Sequence, residues 1–171
     1  MNSAIFGPVT QLGHLTDDIE ATAKAWSQAA GIGPWTRMSG VSMQANVMGA
    51  SAEIKIDVAF CYQGDVQIEL IKPLCDTPSP YSEYKNAGIW GLHHLQYMTD
   101  DMEASLAKAK EAGLDLACRI EQGGGIYCYL RGHGIWFELM QPSEGLTGLF
   151  QMIKSSCETW DGEELIREFG L

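Results

Sequence analysis

The chain is short of positive charge. Eleven Lys and Arg stand against twenty-two Asp and Glu, a formal net charge of −11. That balance excludes a nucleic-acid partner, which requires a basic face, and disfavours an anionic membrane surface. No apolar run is long enough to span a bilayer, and no basic-then-apolar leader opens the chain. Five cysteines are odd in number and lack any C-x-x-C spacing, which reads as reduced thiols in a cytoplasmic protein rather than a disulfide framework or zinc site. The glycines at 123–125 are followed by no Lys-Ser/Thr and open no helix, so they are a turn and not a phosphate loop. With 46% hydrophobic residues in 171, the chain has enough apolar material for one soluble globular body.

What the chain does contain is a repeat. Residues 10–21 (T-Q-L-G-H-L-T-D-D-I-E-A) and 93–104 (H-H-L-Q-Y-M-T-D-D-M-E-A) coincide at an offset of 83, and residues 66–73 (V-Q-I-E-L-I-K-P) and 135–142 (I-W-F-E-L-M-Q-P) at an offset of 69. Two copies are too few for a solenoid, so a pseudo-twofold pair is expected. In the first copy, a strand at 8–16 precedes a helix at 19–30, capped by Asp17 or Asp18 and stopped at Gly31. Residues 35–50 read as a strand and a Gly/Ser/Met-rich loop. Strands at 53–62 and 66–72 flank a turn at Gln63-Gly64-Asp65. The second copy repeats the order: strand 92–98, helix 101–112, strand 115–120, strand 126–131, strand 135–141. The fold class is therefore α+β, two tandem βαβββ modules. We place the first at 1–75, a linker at 76–90, the second at 91–144 and a helical extension at 145–171.

Strand residues i and i+2 share a face. Leu12 and Leu95 supply the apolar surface that each helix covers, so Gln11 and His94 face away from the helices. His14 and His93 then lie on the helix side, though a bulge or register slip would exchange Gln11 for His14. His133 sits in a turn and is read as solvated. Glu69 and Glu138 share faces with Gln67/Ile71 and Trp136/Met140, while the alternate positions are wholly apolar. A carboxylate inside a strand is costly unless paired or bound to metal, and here two occupy equivalent places. About a pseudo-twofold axis, Gln11, Glu69, His94 and Glu138 converge. One amide, one imidazole and two carboxylates suit a divalent cation such as Zn²⁺, Ni²⁺, Co²⁺ or Mn²⁺. Gln67, Ile71, Gln96, Met98, Trp136 and Met140 are the candidate substrate pocket.

These residues resemble the vicinal oxygen chelate superfamily, which includes glyoxalase I, methylmalonyl-CoA epimerase, bleomycin-resistance proteins and extradiol-type dioxygenases. The runs H-H-L-Q-Y-M-T-D-D-M-E at 93–103, I-E-L-I-K-P-L at 68–74 and F-E-L-M-Q-P at 137–142 carry the likeness, over about residues 8–142. The resemblance implies a cupped mixed sheet around a metal site, and a homodimer acting on a small molecule. The family's ligand stands seven residues before the acid at the helix start, which selects His94 before Asp101 and Gln11 before Asp18. The resulting Gln/Glu/His/Glu set is similar to one branch of glyoxalase I. It implies a metal-dependent isomerase or lyase that moves a proton α to a carbonyl through a metal-stabilised enediolate or enolate, with Glu138 as first choice of base and Glu69 as second. The alternatives are an acyl-CoA epimerase, a metal-free resistance-type binding module, and an extradiol-type dioxygenase, which would want two histidines and one carboxylate.

Overall fold

In a computed structural model, residues 4–170 are described. Strand β1 (Gln11–Leu15) leads into helix α1 (Ile19–Ala30), and β5 (Gly91–Met98) into α3 (Met102–Glu111). The repeated T-D-D is a repeated capping device. The hydroxyls of Thr16 and Thr99 accept from the backbone N–H of Asp18 and Asp101 at 3.1 Å. The Asp18 and Asp101 carboxylates then accept from Ala21 and Ala104 at 3.0 Å, satisfying helix N–H groups that have no partner within the helix. Helix α1 ends at Gly31 in the left-handed conformation, φ +66°, which costs glycine nothing.

The first half continues through β2 (Trp35–Val47), β3 (Ala50–Gln63) and β4 (Val66–Pro73), and the second through β6 (Asp115–Gln122), β7 (Gly125–Arg131) and β8 (Trp136–Gln141). The order βαβββ thus occurs twice. Where a strand and loop were expected at 35–50, one strand runs through. The pairing of β2 with β3 slips between Met38 and Val41, at Gly40 with φ +65°. That bulge is why a Gly/Ser-rich stretch reads locally as a loop while still pairing as a strand. The expected linker holds a short helix, α2 (Ser82–Asn86), preceded by Tyr81, which is buried. The expected helical extension is helical only in part. Helix α4 (Glu144–Glu158) is followed by a strand, β9 (Ile166–Glu168), which pairs in parallel with the start of β2 from Trp35↔Ile166 to Arg37↔Glu168. It satisfies backbone groups that an open edge would expose.

The strands order as β3-β4-β1-β5-β8-β7-β6-β2-β9, and β2 also pairs with β3. The cup therefore closes into a ring, with β2 bridging β3 and β6. At its centre β1 and β5 run antiparallel, Gln11 opposite Gln96 and Gly13 opposite His94. Strand β4 lies parallel to β1, and β8 parallel to β5. Outside the ring, Ile19 and Ala23 of α1 pack on Ala59 and Leu70, and Met102 and Ala109 of α3 on Leu130 and Leu139. Inside, Ile54, Val58, Ile71 and Ile120 form the main core with Phe150 and Ile153 of α4. Burying an aliphatic side chain in this way contributes roughly 1.5–3 kcal/mol. All five cysteines are free thiols. No helix of the described residues is long and apolar enough to cross a membrane.

Candidate functional site

Four adjacent strands turn polar side chains inward, among them Glu69 from β4, Gln11 from β1, His94 from β5 and Glu138 from β8. All four are buried. Gly13, between Glu69 and His94 in the sheet register, makes room for them. A Cβ there would overlap the His94 imidazole. From His94 Nε2, Gln11 Oε1 lies 3.0 Å away, Glu138 Oε2 3.2 Å and Glu69 Oε2 3.4 Å. Gln96 donates from Nε2 to both Gln11 Oε1 and Glu138 Oε1 at 3.0 Å. Gln11 in turn donates from Nε2 to Gln67 Oε1 at 2.6 Å, so its oxygen is the atom that points inward.

Hydrogen-bond direction fixes the histidine tautomers. His93 Nε2 is 2.9 Å from the Pro80 carbonyl oxygen, which can only accept, so His93 carries its proton on Nε2. Burial, reinforced by the adjoining His94, pushes His93 down to about 3, the Pro80 bond opposing. His93 is therefore neutral, and its Nδ1 accepts from His94 Nδ1–H at 3.1 Å. His94, itself shifted down by burial with Glu138 opposing, is left with a bare Nε2 lone pair aimed at three oxygens.

The acids are equally exposed to this conflict. Burial pushes Glu69 up to about 8. It also raises Glu138, with Glu69 adding to the shift and His94, Tyr129 and Gln96 opposing it. No Lys or Arg lines the cavity beside them. The donor spacing fits a cation. Ligands about 2.1 Å from a metal stand about 3.0 Å apart at right angles and about 3.4 Å apart at the tetrahedral angle. Among the described residues, His, Cys, Asp and Glu by themselves form no group of three disposed to hold a metal. The convergence seen here is centred on one imidazole nitrogen and needs the Gln11 amide as a member.

The sequence reading placed His14 and His93 on the helix side. His14 is there, edge-on to Trp26 of α1 with ring centroids 4.6 Å apart. His93 is not. Gly13 pairs with His94 and His14 with Leu92, so β5 bulges at His93. The ring turns inward, stacked on Trp136 and edge-on to Tyr84. His133 is exposed. Of the six expected pocket residues, Gln96 lines the cavity. Gln67 stands behind Gln11, Ile71, Trp136 and Met140 are packed into the core, and Met98 is exposed near the end of its strand.

Tyr81 and Tyr129 also line the cavity, beyond the residues that the strand period marks. Their hydroxyls are 2.7 Å apart, and burial drives both phenols well above their ordinary range. The alternation I-Y-C-Y-L in β7 carried a signal for Tyr129, but Tyr81 lies in a stretch without periodicity. Above these groups is a cavity of about 290 Å³. Its floor is Gln11, Glu69, Gln96 and Glu138, its walls include Met43, Val58, Phe60 and Ile120, and its roof is Leu146, Leu149, Phe150 and Phe169. An outer groove of about 410 Å³ beside Thr99, Ser143 and Gln151 has no comparable convergence of acid and imidazole.

The sequence profile of the Glyoxalase/Bleomycin resistance protein/Dioxygenase superfamily matches residues 10–129. The chain belongs to that superfamily. Solved structures with the same fold include methylmalonyl-CoA epimerase from Mycobacterium tuberculosis, at 15% identity over 86% of this chain and 96% of that one, TM-score 0.60. A hypothetical protein from Bacillus halodurans matches at 17% identity over 80% and 95%, TM-score 0.59. A variant of Streptomyces coelicolor methylmalonyl-CoA epimerase in complex with 2-nitronate-propionyl-CoA matches at 15% identity over 80% and 95%, TM-score 0.56. No curated protein matches the chain in sequence. The superfamily name spans enzymes and resistance proteins, so membership establishes the fold and leaves the reaction to the site.

Proposed function

We propose that this chain is a metal-dependent isomerase or lyase of the glyoxalase I type, with Gln11, Glu69, His94 and Glu138 holding one divalent cation. The observation that carries this reading is the convergence of Gln11 Oε1, Glu138 Oε2 and Glu69 Oε2 within 3.0, 3.2 and 3.4 Å of His94 Nε2. When bound, the cation would supply a Lewis acid that polarises a substrate carbonyl. Glu138 is the base that takes the proton α to that carbonyl. Burial raises its pKa, and Gln96 holds its carboxylate in place. Glu69, across the pseudo-twofold, is the second choice and can return the proton. The hydrogen-bonded Tyr81–Tyr129 pair leaves one hydroxyl proton to donate to substrate oxygen, and the roof keeps water from the exchanging proton. Extradiol-type chemistry is less well matched, since the set holds one histidine and two carboxylates.

A second reading, an acyl-CoA epimerase, draws on the fold neighbours and would use the same proton transfer. The homodimer belongs to the proposal too. Ile89, Trp90 and Leu92 form an exposed apolar run that pairing would cover, and sedimentation velocity measures it. Elemental analysis of the purified protein tests the site. About one divalent metal per chain, lost in Glu138→Ala and Gln11→Ala, is the expected result. Wild-type protein that stays metal-free after reconstitution would overturn the isomerase in favour of a binding module.

A further inference from the structure

We infer that the chamber takes a neutral, mainly apolar substrate, an aryl or alkyl body bearing adjacent carbonyl and hydroxyl oxygens, and turns away polyanionic thioesters. The inference deepens the proposed proton-transfer reading and rests on it for substrate orientation. The charged and amide groups Gln11, Glu69, Gln96 and Glu138 line the chamber together, where a pair of adjacent oxygens would meet them, and Ser42, Gln122 and Tyr127 add polar atoms elsewhere in the lining. The walls and roof are aliphatic, thioether and aromatic surface, with Phe150 packed edge-on against Phe60 at 5.8 Å between centroids. Sites of this kind bind by burying apolar area and orient the ligand with a few polar groups.

Charge decides what is excluded. No Lys or Arg lines the chamber. Each arginine of the chain is already paired with an acid: Arg37 with Glu168, Arg119 with Glu103 and Glu121, Arg131 with Glu83, and Arg167 with Glu164. A thioester of coenzyme A carries three phosphates, and a glutathione adduct carries two carboxylates and one ammonium. Burying such groups without cationic partners is heavily unfavourable, and the net charge of −11 repels them on approach.

The roof comes from the segment that follows the second βαβββ unit. Leu146, Leu149 and Phe150 come from α4, and Phe169 follows β9, whereas the superfamily profile ends at residue 129. The α4 segment thus partly covers the cavity with apolar side chains, and Leu149 and Phe150 are its specificity-determining residues.

The test is calorimetric titration of the metal-loaded protein with benzoin, which is neutral and aromatic with adjacent oxygens, against propionyl-CoA and S-lactoylglutathione. Benzoin is expected to bind at least tenfold more tightly than either anion. Leu149→Arg should reverse that order, whereas Met152→Arg, on the exposed side of α4, should leave it unchanged. The wild-type comparison stands even where Leu149→Arg fails to fold. Undetectable benzoin binding, or equal or tighter binding of either anion, overturns the inference. Deuterium exchange at the benzoin α-carbon in D₂O reads the proposed reaction separately. Tight binding without exchange keeps this inference while counting against the isomerase, and exchange of a coenzyme A thioester alone does the opposite.

Discussion

The Nδ1 atoms of His93 and His94 lie 3.1 Å apart, and this contact decides which nitrogen of His94 faces Gln11, Glu69 and Glu138. Outer partners that hold a metal-binding imidazole typically change affinity by about 10–100-fold when removed. In His93→Phe the ring packing against Tyr84 and Trp136 is retained and the acceptor is lost. Metal affinity of the apoprotein, titrated with Co²⁺, should fall within that range, and the ¹⁵N shifts of His94 should show a mixed tautomer. Unchanged affinity with an unchanged tautomer would remove His93 as a positioning residue.

Gly13 gives a steric prediction. Its position in the sheet is occupied from above by the His94 ring, so Gly13→Ala must displace the imidazole or the strand. Loss of metal binding is expected together with a destabilisation of about 1–3 kcal/mol, the usual cost of overpacking, read by denaturant titration. Full metal content in this variant would show that His94 does not need its present placement.

The two inward carboxyls make the metal-free protein sensitive to pH in an unusual direction. The folded-state pKa of Glu69 is about 8 against an ordinary 4.5, and Glu138 is shifted the same way. The folded state therefore holds protons that the unfolded chain has released, and stability falls as pH rises from about 4.5 to about 8. His93, depressed from 6.5 to about 3, works in the opposite sense but only below about 6.5. Between pH 6.5 and 8 the Tm in EDTA should drop by several degrees. With saturating metal the drop should vanish, since the cation replaces the protons. A flat profile in EDTA would contradict the burial of both acids.

His14 and Gln11 separate cleanly. His14 packs on Trp26 outside the ring, so His14→Ala should cost about 1 kcal/mol in stability and leave metal content intact. Gln11→Ala should lose the metal. The reverse pattern in elemental analysis would mean that the first strand binds through its other face.

Much of the site was legible because the repeat and the strand period are local properties. The offsets of 83 and 69 paired Gln11 with His94 and Glu69 with Glu138, and alternation separated inward positions such as Glu138 from helix-facing ones such as Leu139. The capping pattern T-D-D marked both helix starts for the same reason. The bulge that turns His93 inward was not legible, because a bulge is a relation between two strands and either strand alone shows an unbroken period. Tyr81 was hidden in an aperiodic stretch whose burial depends on what lies across from it. The chamber itself depends on contacts far apart in the chain: β2 closing on β6, β9 pairing with β2, and α4 seating Leu149 and Phe150 over Glu69 and Glu138. By itself the sequence determined which side chains share a strand face. Only the tertiary structure decided what those faces enclose, because enclosure is set by long-range pairing and packing rather than by any local pattern.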